Sequence, residues 1–291
     1  MTTEVQPHGT IVCDLGEGPL WCPRSRRLYW HDVTGRCLHR SDMDGTACES
    51  FALGRIPGNF GLRVGGGLLA VWRNGISLFD PDSAVEQEIS GHGIDFATER
   101  FNDGACDARG RYWTGSFDPS MATAGGGLYR IDPDRTVHRM DDGIAMANGL
   151  AWSPDGTLLY FADSRPGRVY RYRFDMERGS VGDREVFLDY GDRPGRPDGC
   201  TVDSEGCLWV AEVTAGRVSR YAPDGRLVRR IDLPVSKPTS VAFGGPALRT
   251  LFITTMRYGL DPAQSAAEPL AGRLLRLEVD VPGLEEARFA G

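Results

Sequence analysis

Short apolar or aromatic pairs recur along the chain: Leu28-Tyr29, Leu68-Leu69, Tyr112-Trp113, Leu159-Tyr160, Leu208-Trp209 and Leu251-Phe252, 40 to 49 residues apart. Each reads as the centre of a short stretch alternating apolar and polar positions, the period of a half-buried strand. A turn signal usually precedes the pair, as in Ala108-Arg109-Gly110, Pro154-Asp155-Gly156 and Ser204-Glu205-Gly206. A glycine and a second alternating strand follow, as in Gly167 to Tyr172 and Gly216 to Tyr221. Helical periodicity never exceeds two turns; the stretch 264–268 predicts one. Six strand-rich repeats of this length predict an all-β six-bladed β-propeller with four strands per blade, in a single domain spanning 1–291. A β-sandwich or barrel is the rival, and the regular spacing disfavours it.

Two repeats break the rhythm. The gap from pair to glycine is six or seven residues in four repeats and much longer in the third and sixth. The stretches 116–126 and 256–271 therefore carry insertions at the same strand connection. In a propeller, equivalent connections lie on one face, and loops on a rigid scaffold commonly carry function.

The strand before each pair should be the innermost of its blade. Nine to thirteen residues upstream of the pairs stand Glu17, Asn59, Asn102 with Asp103, Asn148, Asp198, and Thr239 with Ser240. Every repeat thus offers an oxygen-bearing side chain at one phase, which blade packing alone does not require. Carboxylates converging without basic partners repel one another, and a bound cation relieves this. Carboxylate and amide oxygens, without clustered Cys or His, suit a hard ion: Ca2+ first, then Mg2+ or Mn2+, with Zn2+ and Fe2+ as further candidates.

Composition narrows the partners. The net charge of −7 disfavours nucleic acid, whose phosphates would be repelled. Lys237 is the single lysine, which leaves little room for Schiff-base chemistry. The seven cysteines are scattered without a CxxC pair, as expected of a reduced cytoplasmic protein. The first residues lack a signal-peptide pattern, and no apolar run is long enough to cross a membrane. There is no GxSxG elbow, HExxH pair or phosphate-binding GxxxxGK[ST] loop. The Gly65–Gly67 and Gly125–Gly127 runs read as turns. His31 and His39 show no ligand spacing, and the recurrent tryptophans read as blade packing.

The chain resembles the senescence marker protein, gluconolactonase and luciferin-regenerating enzyme family, also called the regucalcin family. The matching stretches are Gly16-Glu-Gly-Pro-Leu-Trp21, Arg100-Phe-Asn-Asp-Gly104 with Gly110-Arg-Tyr112, Asn148-Gly-Leu-Ala-Trp-Ser153, Pro197-Asp-Gly199 with Leu208-Trp-Val-Ala211, Phe243-Gly-Gly245, and Gly259-Leu-Asp-Pro262 through Ala271-Gly272. They span nearly the whole chain. The resemblance implies a six-bladed propeller of metal-dependent lactonases, with Glu17, Asn148 and Asp198 as metal ligands. It implies Arg100 and Asn102 as substrate contacts; Asp103 is grouped with them and is expected to line the metal or its waters. Some relatives use a further Glu where this chain has Ser120.

The implied reaction is opening of a sugar lactone, an aldonolactone, to the sugar acid. The metal would polarise the carbonyl, and Asp198 would act as ligand and general base toward water. Arg100 and Asn102 would orient sugar hydroxyls. A phosphotriesterase or general esterase on the same site is the nearest alternative, favoured by a more apolar pocket from Phe60, Phe117, Met121 and Tyr258. A non-catalytic calcium-binding regulator and a protein-binding propeller are the others.

Overall fold

The computed structural model describes residues 4–291. The chain is almost entirely β and forms six four-stranded antiparallel sheets. After β1 (Gln6–Val12), blade 1 comprises β2 (Gly16–Cys22), β3 (Arg27–Asp32), β4 (Cys37–Ser41) and β5 (Cys48–Ala52). Blade 2 comprises β6 (Pro57–Leu62), β7 (Leu68–Trp72), β8 (Gly75–Asp80) and β9 (Val85–Glu88). Blade 3 comprises β10 (Arg100–Cys106), β11 (Tyr112–Phe117), β12 (Gly126–Ile131) and β13 (Val137–Ile144). Blade 4 comprises β14 (Ala147–Trp152), β15 (Leu158–Asp163), β16 (Arg168–Asp175) and β17 (Ser180–Asp189). Blade 5 comprises β18 (Arg196–Val202), β19 (Leu208–Val213), β20 (Arg217–Tyr221) and β21 (Leu227–Asp232). Blade 6 comprises β22 (Pro238–Gly244), β23 (Thr250–Thr255) and β24 (Arg273–Glu278), and β1 pairs with β24 as its fourth strand. This is the blade count and strand order of the six-bladed β-propeller class.

The recurrent pairs lie near the start of the second strand of each blade rather than at its centre. The turn leading into that strand is tight and needs a left-handed residue. At 153–158, for example, Gly156 adopts φ +66° while its N–H donates to Ser153 O at 2.8 Å. Gly126 and Gly127 belong to β12, where the ladder shifts register, rather than to a turn. Both insertions fall between second and third strands, at 118–125 and 256–272. The second contains helix α1 (Pro262–Ala267): it starts two residues before the expected stretch because Asp261 caps it through a reciprocal bond with Gln264, and it ends at Ala267 because Glu268 leaves the helical conformation. Among the described residues, no helix is long and apolar enough to cross a membrane.

By compactness the chain divides into two units of three blades. One unit (residues 1–54 and 192–285) contains blades 1, 5 and 6. Its core joins blade 5 to blade 6 through Trp209, Val218, Val241, Phe243 and Ile253, with Trp209 edge-on to Phe243 at 5.9 Å. Trp21, Leu28 and Trp30 pack with Phe252 and Leu274 to join blade 1 to blade 6. The other unit (residues 55–191 and 286–291) contains blades 2, 3 and 4. Leu69, Val71 and Ile76 pack against Phe101, Tyr112 and Tyr129, and Phe289 of the chain end joins that cluster. Trp113 and Leu128 pack with Phe161, Tyr170 and Tyr172 of blade 4. In each unit the first strands lie side by side: β22 packs against β2 and β18, and β10 packs against β6 and β14. All seven cysteines are free thiols.

Candidate active site

The oxygen-bearing residues share a backbone device as well as a repeat phase. In every blade the ladder between first and second strands slips by one residue, and the slip falls at the predicted position. The extra residue lies between Glu17 and Leu20, Pro57 and Asn59, Phe101 and Gly104, Asn148 and Leu150, Pro197 and Cys200, and Pro238 and Ser240. A bulge of this kind ends strict alternation and re-aims the side chains beside it.

In the unit of blades 1, 5 and 6, Glu17 is partly exposed and Asp198 is buried. Both flank the bulge of β22. Thr239 Oγ1 donates to the carbonyl of Gly16 at 2.6 Å, fixing the backbone beside Glu17. Gly199 abuts Ser240 so closely that a Cβ there would lie 2.1 Å from Ser240 Oγ, so the residue after Asp198 has no room for a side chain. Asp32 receives N–H bonds from Asp14 and Leu15 at 2.8 and 3.1 Å and so sets the entry into β2. Burial alone would raise the Asp32 pKa, but bonds from Gly35, Asp14, Leu15 and Thr34 bring it below the ordinary value. His31 stands opposite Glu17 in the ladder and is buried. His39 bonds to Ser50 and packs against Trp30, a core role.

In the unit of blades 2, 3 and 4, Asn102 and Asn148 are joined directly. Asn102 Nδ2 donates to Asn148 Oδ1 and to Ala147 O, each at 2.6 Å. Asn148 Nδ2 donates to Ser164 Oγ at 2.7 Å, which fixes the orientation of its amide and leaves a second lone pair on Oδ1. Asp163 accepts from the N–H groups of Ala145 and Met146 at 3.1 and 2.8 Å, as Asp32 does in blade 1. Here burial prevails and raises its pKa. Asp103 turns elsewhere: it accepts from Asn59 Nδ2 at 2.5 Å and Gly104 N at 2.7 Å. Burial pushes its carboxyl up to about 6 despite these bonds and one from Gly149.

Arg100 opens β10 opposite Phe117, and its Nη1 donates to Glu99 O at 2.9 Å. Arg73, which the repeat pattern does not single out, lies 4.9 Å over the Phe117 ring and donates to Phe101 O at 3.2 Å. Glu99 is buried and accepts from Ser116, Tyr129 and Arg139 at 2.5, 2.7 and 2.8 Å. Ser116 Oγ in turn accepts from Gly127 N at 2.8 Å, so Glu99, the residue before Arg100, ties both ends of the 118–125 insertion together. Ser120 is exposed, and its hydroxyl bonds back to Asp118 at 2.6 Å. Phe60 packs edge-on against Trp72 inside blade 2, and Met121 and Tyr258 are exposed on the insertions.

Among the described residues, no group of three or more His, Cys, Asp or Glu side chains is placed to hold a metal. The expected set counts only two carboxylates, Glu17 and Asp198, with the Asn148 amide, and the carboxylates belong to a different unit from the amide. Its chemistry fits a hard cation: all three donors are oxygens, and Ser164 holds the amide with its oxygen, not its nitrogen, as the acceptor end.

A family model described as the SMP-30/gluconolactonase/LRE-like region matches residues 15–257. A 6-deoxy-6-sulfogluconolactonase of Pseudomonas putida is 38% identical over 278 residues, covering 95% of each chain. A pentonolactonase of Haloferax volcanii is 39% identical over 284 residues, covering 95% of this chain and 94% of the relative. Among solved structures, a calcium-binding protein, regucalcin, of Agrobacterium tumefaciens superposes with a TM-score of 0.93 at 28% identity, covering 99% of this chain and 97% of the other. With more than half its length matched by the model and relatives of this identity along almost all of it, the chain belongs to the SMP-30/gluconolactonase/LRE-like family.

Proposed function

We propose that this protein is a metal-dependent lactonase that opens aldonolactones to sugar acids, acting as one domain with Glu17, Asn148 and Asp198 as ligands of a single divalent ion, Ca2+ first. The observation that carries the reading is the shared bulge: each of the three residues borders the one-residue slip in the first strand of its blade, in a family whose relatives are named as lactonases. The calcium assignment draws on the oxygen donor set and on the regucalcin relative. When bound, the ion would supply Lewis acidity toward the lactone carbonyl and its developing oxyanion.

The chain's own residues do the rest. Asp198 takes the proton of the attacking water and returns it to the ring oxygen as the acyl C–O bond of the ring breaks. Asn102, held by Ala147 and Asn148, and Arg100, held by Glu99, present donors to the sugar hydroxyls. Ser120 is engaged with Asp118, so the acidic contact of some relatives has no counterpart from that side chain.

A panel of lactones assayed with several divalent metals tests the reading. Asp198→Asn keeps a ligand oxygen but removes the base, and turnover should fall on the order of 10²-fold or more. A site built to bond hydroxyls should also favour an aldonolactone over an unsubstituted lactone of the same ring size, since its polar groups would otherwise go unpaired. Equal or better kcat/KM on the bare ring would move the assignment to a general esterase, and no metal-dependent turnover on any lactone would leave a calcium-binding regulator.

A further inference from the structure

Arg73 lies beside two of the proposed substrate contacts. It opens the connection between β7 and β8, the same connection that carries the 118–125 insertion in blade 3. Two reciprocal bonds tie it to β10: Phe101 N donates to Arg73 O, and Arg73 Nη1 donates to Phe101 O, each at 3.2 Å. That carbonyl belongs to the peptide joining Phe101 to Asn102, so the guanidinium lies against the backbone of Asn102. Its central carbon also lies 4.9 Å from the centre of the Phe117 ring. Phe117 is the ladder partner of Arg100, and partners across an antiparallel ladder project to the same side of the sheet, about 5 Å apart. Phe117 thus links Arg73 to Arg100. The phenyl ring is buried, and both arginines are partly exposed.

The carboxylates on the neighbouring elements are committed elsewhere. Glu99 accepts from Ser116, Tyr129 and Arg139, Asp103 from Asn59 and Gly104, and Asp118 from Ser120 and Thr123. Among the described residues, the Arg100 guanidinium bonds to a carbonyl, Glu99 O, and to no carboxylate. A carbonyl engages one N–H of the fork and leaves the charge uncompensated. Two such cations side by side repel, and an anion held between them relieves the repulsion. The chain as a whole carries −7, so an anion approaching this mouth needs local cations to receive it. The stack on Phe117 and the bond to Phe101 O hold the Arg73 fork in one orientation before a ligand arrives, which limits the entropy lost on binding.

We propose that Arg73 is a further substrate contact and that, with Arg100, it makes acidic aldonolactones the preferred substrates: those bearing an anionic group such as a carboxylate outside the ring. The assignment rests on the lactonase reading and narrows its substrate class. A planar guanidinium meets both oxygens of a carboxylate in parallel, whereas a terminal hydroxymethyl group offers it one oxygen and no charge.

Steady-state kinetics on a glucarolactone and a gluconolactone of the same five-membered ring test this, since the two differ only in carrying a carboxylate or a hydroxymethyl group at the last carbon. In wild type, kcat/KM should be on the order of 10-fold or more higher for the glucarolactone. Arg73→Gln should bring the ratio close to one by raising KM for the glucarolactone with kcat little changed, the pattern of lost ground-state binding. Arg73→Lys keeps the charge without the fork and should fall between the two. A ratio near one in wild type overturns the proposal, as does an Arg73→Gln chain that loses both lactones alike or keeps the wild-type preference. If wild type turns over neither lactone, the lactonase reading fails by itself, and calorimetric titration with the same pair decides the anion site. Tighter binding of the glucarolactone that is lost in Arg73→Gln upholds it, and equal binding of the two overturns it.

Discussion

Asn102 and Asp103 are adjacent, yet the bulge in β10 sends them to different tasks. Asn102 joins Asn148 of the next blade, and Asp103 joins Asn59 of the previous one. The repeat phase identifies both positions but cannot separate them, because a one-residue slip breaks the alternation from which side-chain direction is read. Two predictions belong at this scale. Asp103 and Glu286 both bind a proton more tightly in the folded chain than in the unfolded one, since their carboxyls are pushed up to about 6 and about 7. Their stabilisation is therefore complete below the ordinary carboxylate range and is lost as the pH rises through those values. In EDTA, the Tm of wild type should drop more than that of Glu286→Gln between about pH 4 and about pH 8. A parallel decline of the two curves would refute the shift. The second concerns Ser164, which turns the Asn148 amide: Ser164→Ala should weaken the metal affinity that supports turnover on the order of 10-fold or more, leaving kcat at saturating metal nearly intact.

At the scale of elements, the inner strands are held by paired turn residues. In blade 5, Asp203 is fully buried and accepts from Trp209 Nε1 and Arg220 Nε at 2.7 Å each, and from the N–H groups of Glu205 and Cys207 at 3.0 Å each. Asp107 repeats this in blade 3, with Trp113 Nε1 at 2.8 Å and Arg111 Nε at 2.6 Å. Asp203→Ala would strand an indole N–H and two backbone donors and leave the buried Arg220 guanidinium with Glu205 as its carboxylate partner. Its cost should be about 3–5 kcal/mol in denaturant unfolding, against under 1 kcal/mol for a neutral exposed site. The blade count and the location of both insertions were legible in the sequence because strand and turn chemistry repeats. Asp32, Asp163 and Glu99, which position the site strands, were not. Each works through backbone donors or partners that only the folded ladder brings near, and an isolated Asp or Glu at a strand end carries no signature of that.

At the scale of the whole chain, the pattern that reveals the blades is silent about the terminal segment 286–291, which belongs to no repeat. It nonetheless buries Phe289 completely in the core between blades 2 and 3. Phe289→Ala should cost about 3–5 kcal/mol, and a chain ending before residue 286 should lose at least as much, measurable as a lowered denaturation midpoint. An effect under about 1 kcal/mol would mean the segment is an ornament.

The other chain end has a consequence for how the molecule is made. Gln6 pairs with Arg276, so a strand made before the other blades is completed by one made after them. Throughout synthesis β1 has no partner while the repeats behind it can fold from neighbouring residues. Loop closure over such a span is entropically slow, and an unpaired strand edge invites association with other nascent chains. Blade 6 therefore becomes the step at which a newborn chain commits to solubility, and expression yield should respond to changes in β1 and β24 more steeply than equilibrium stability does.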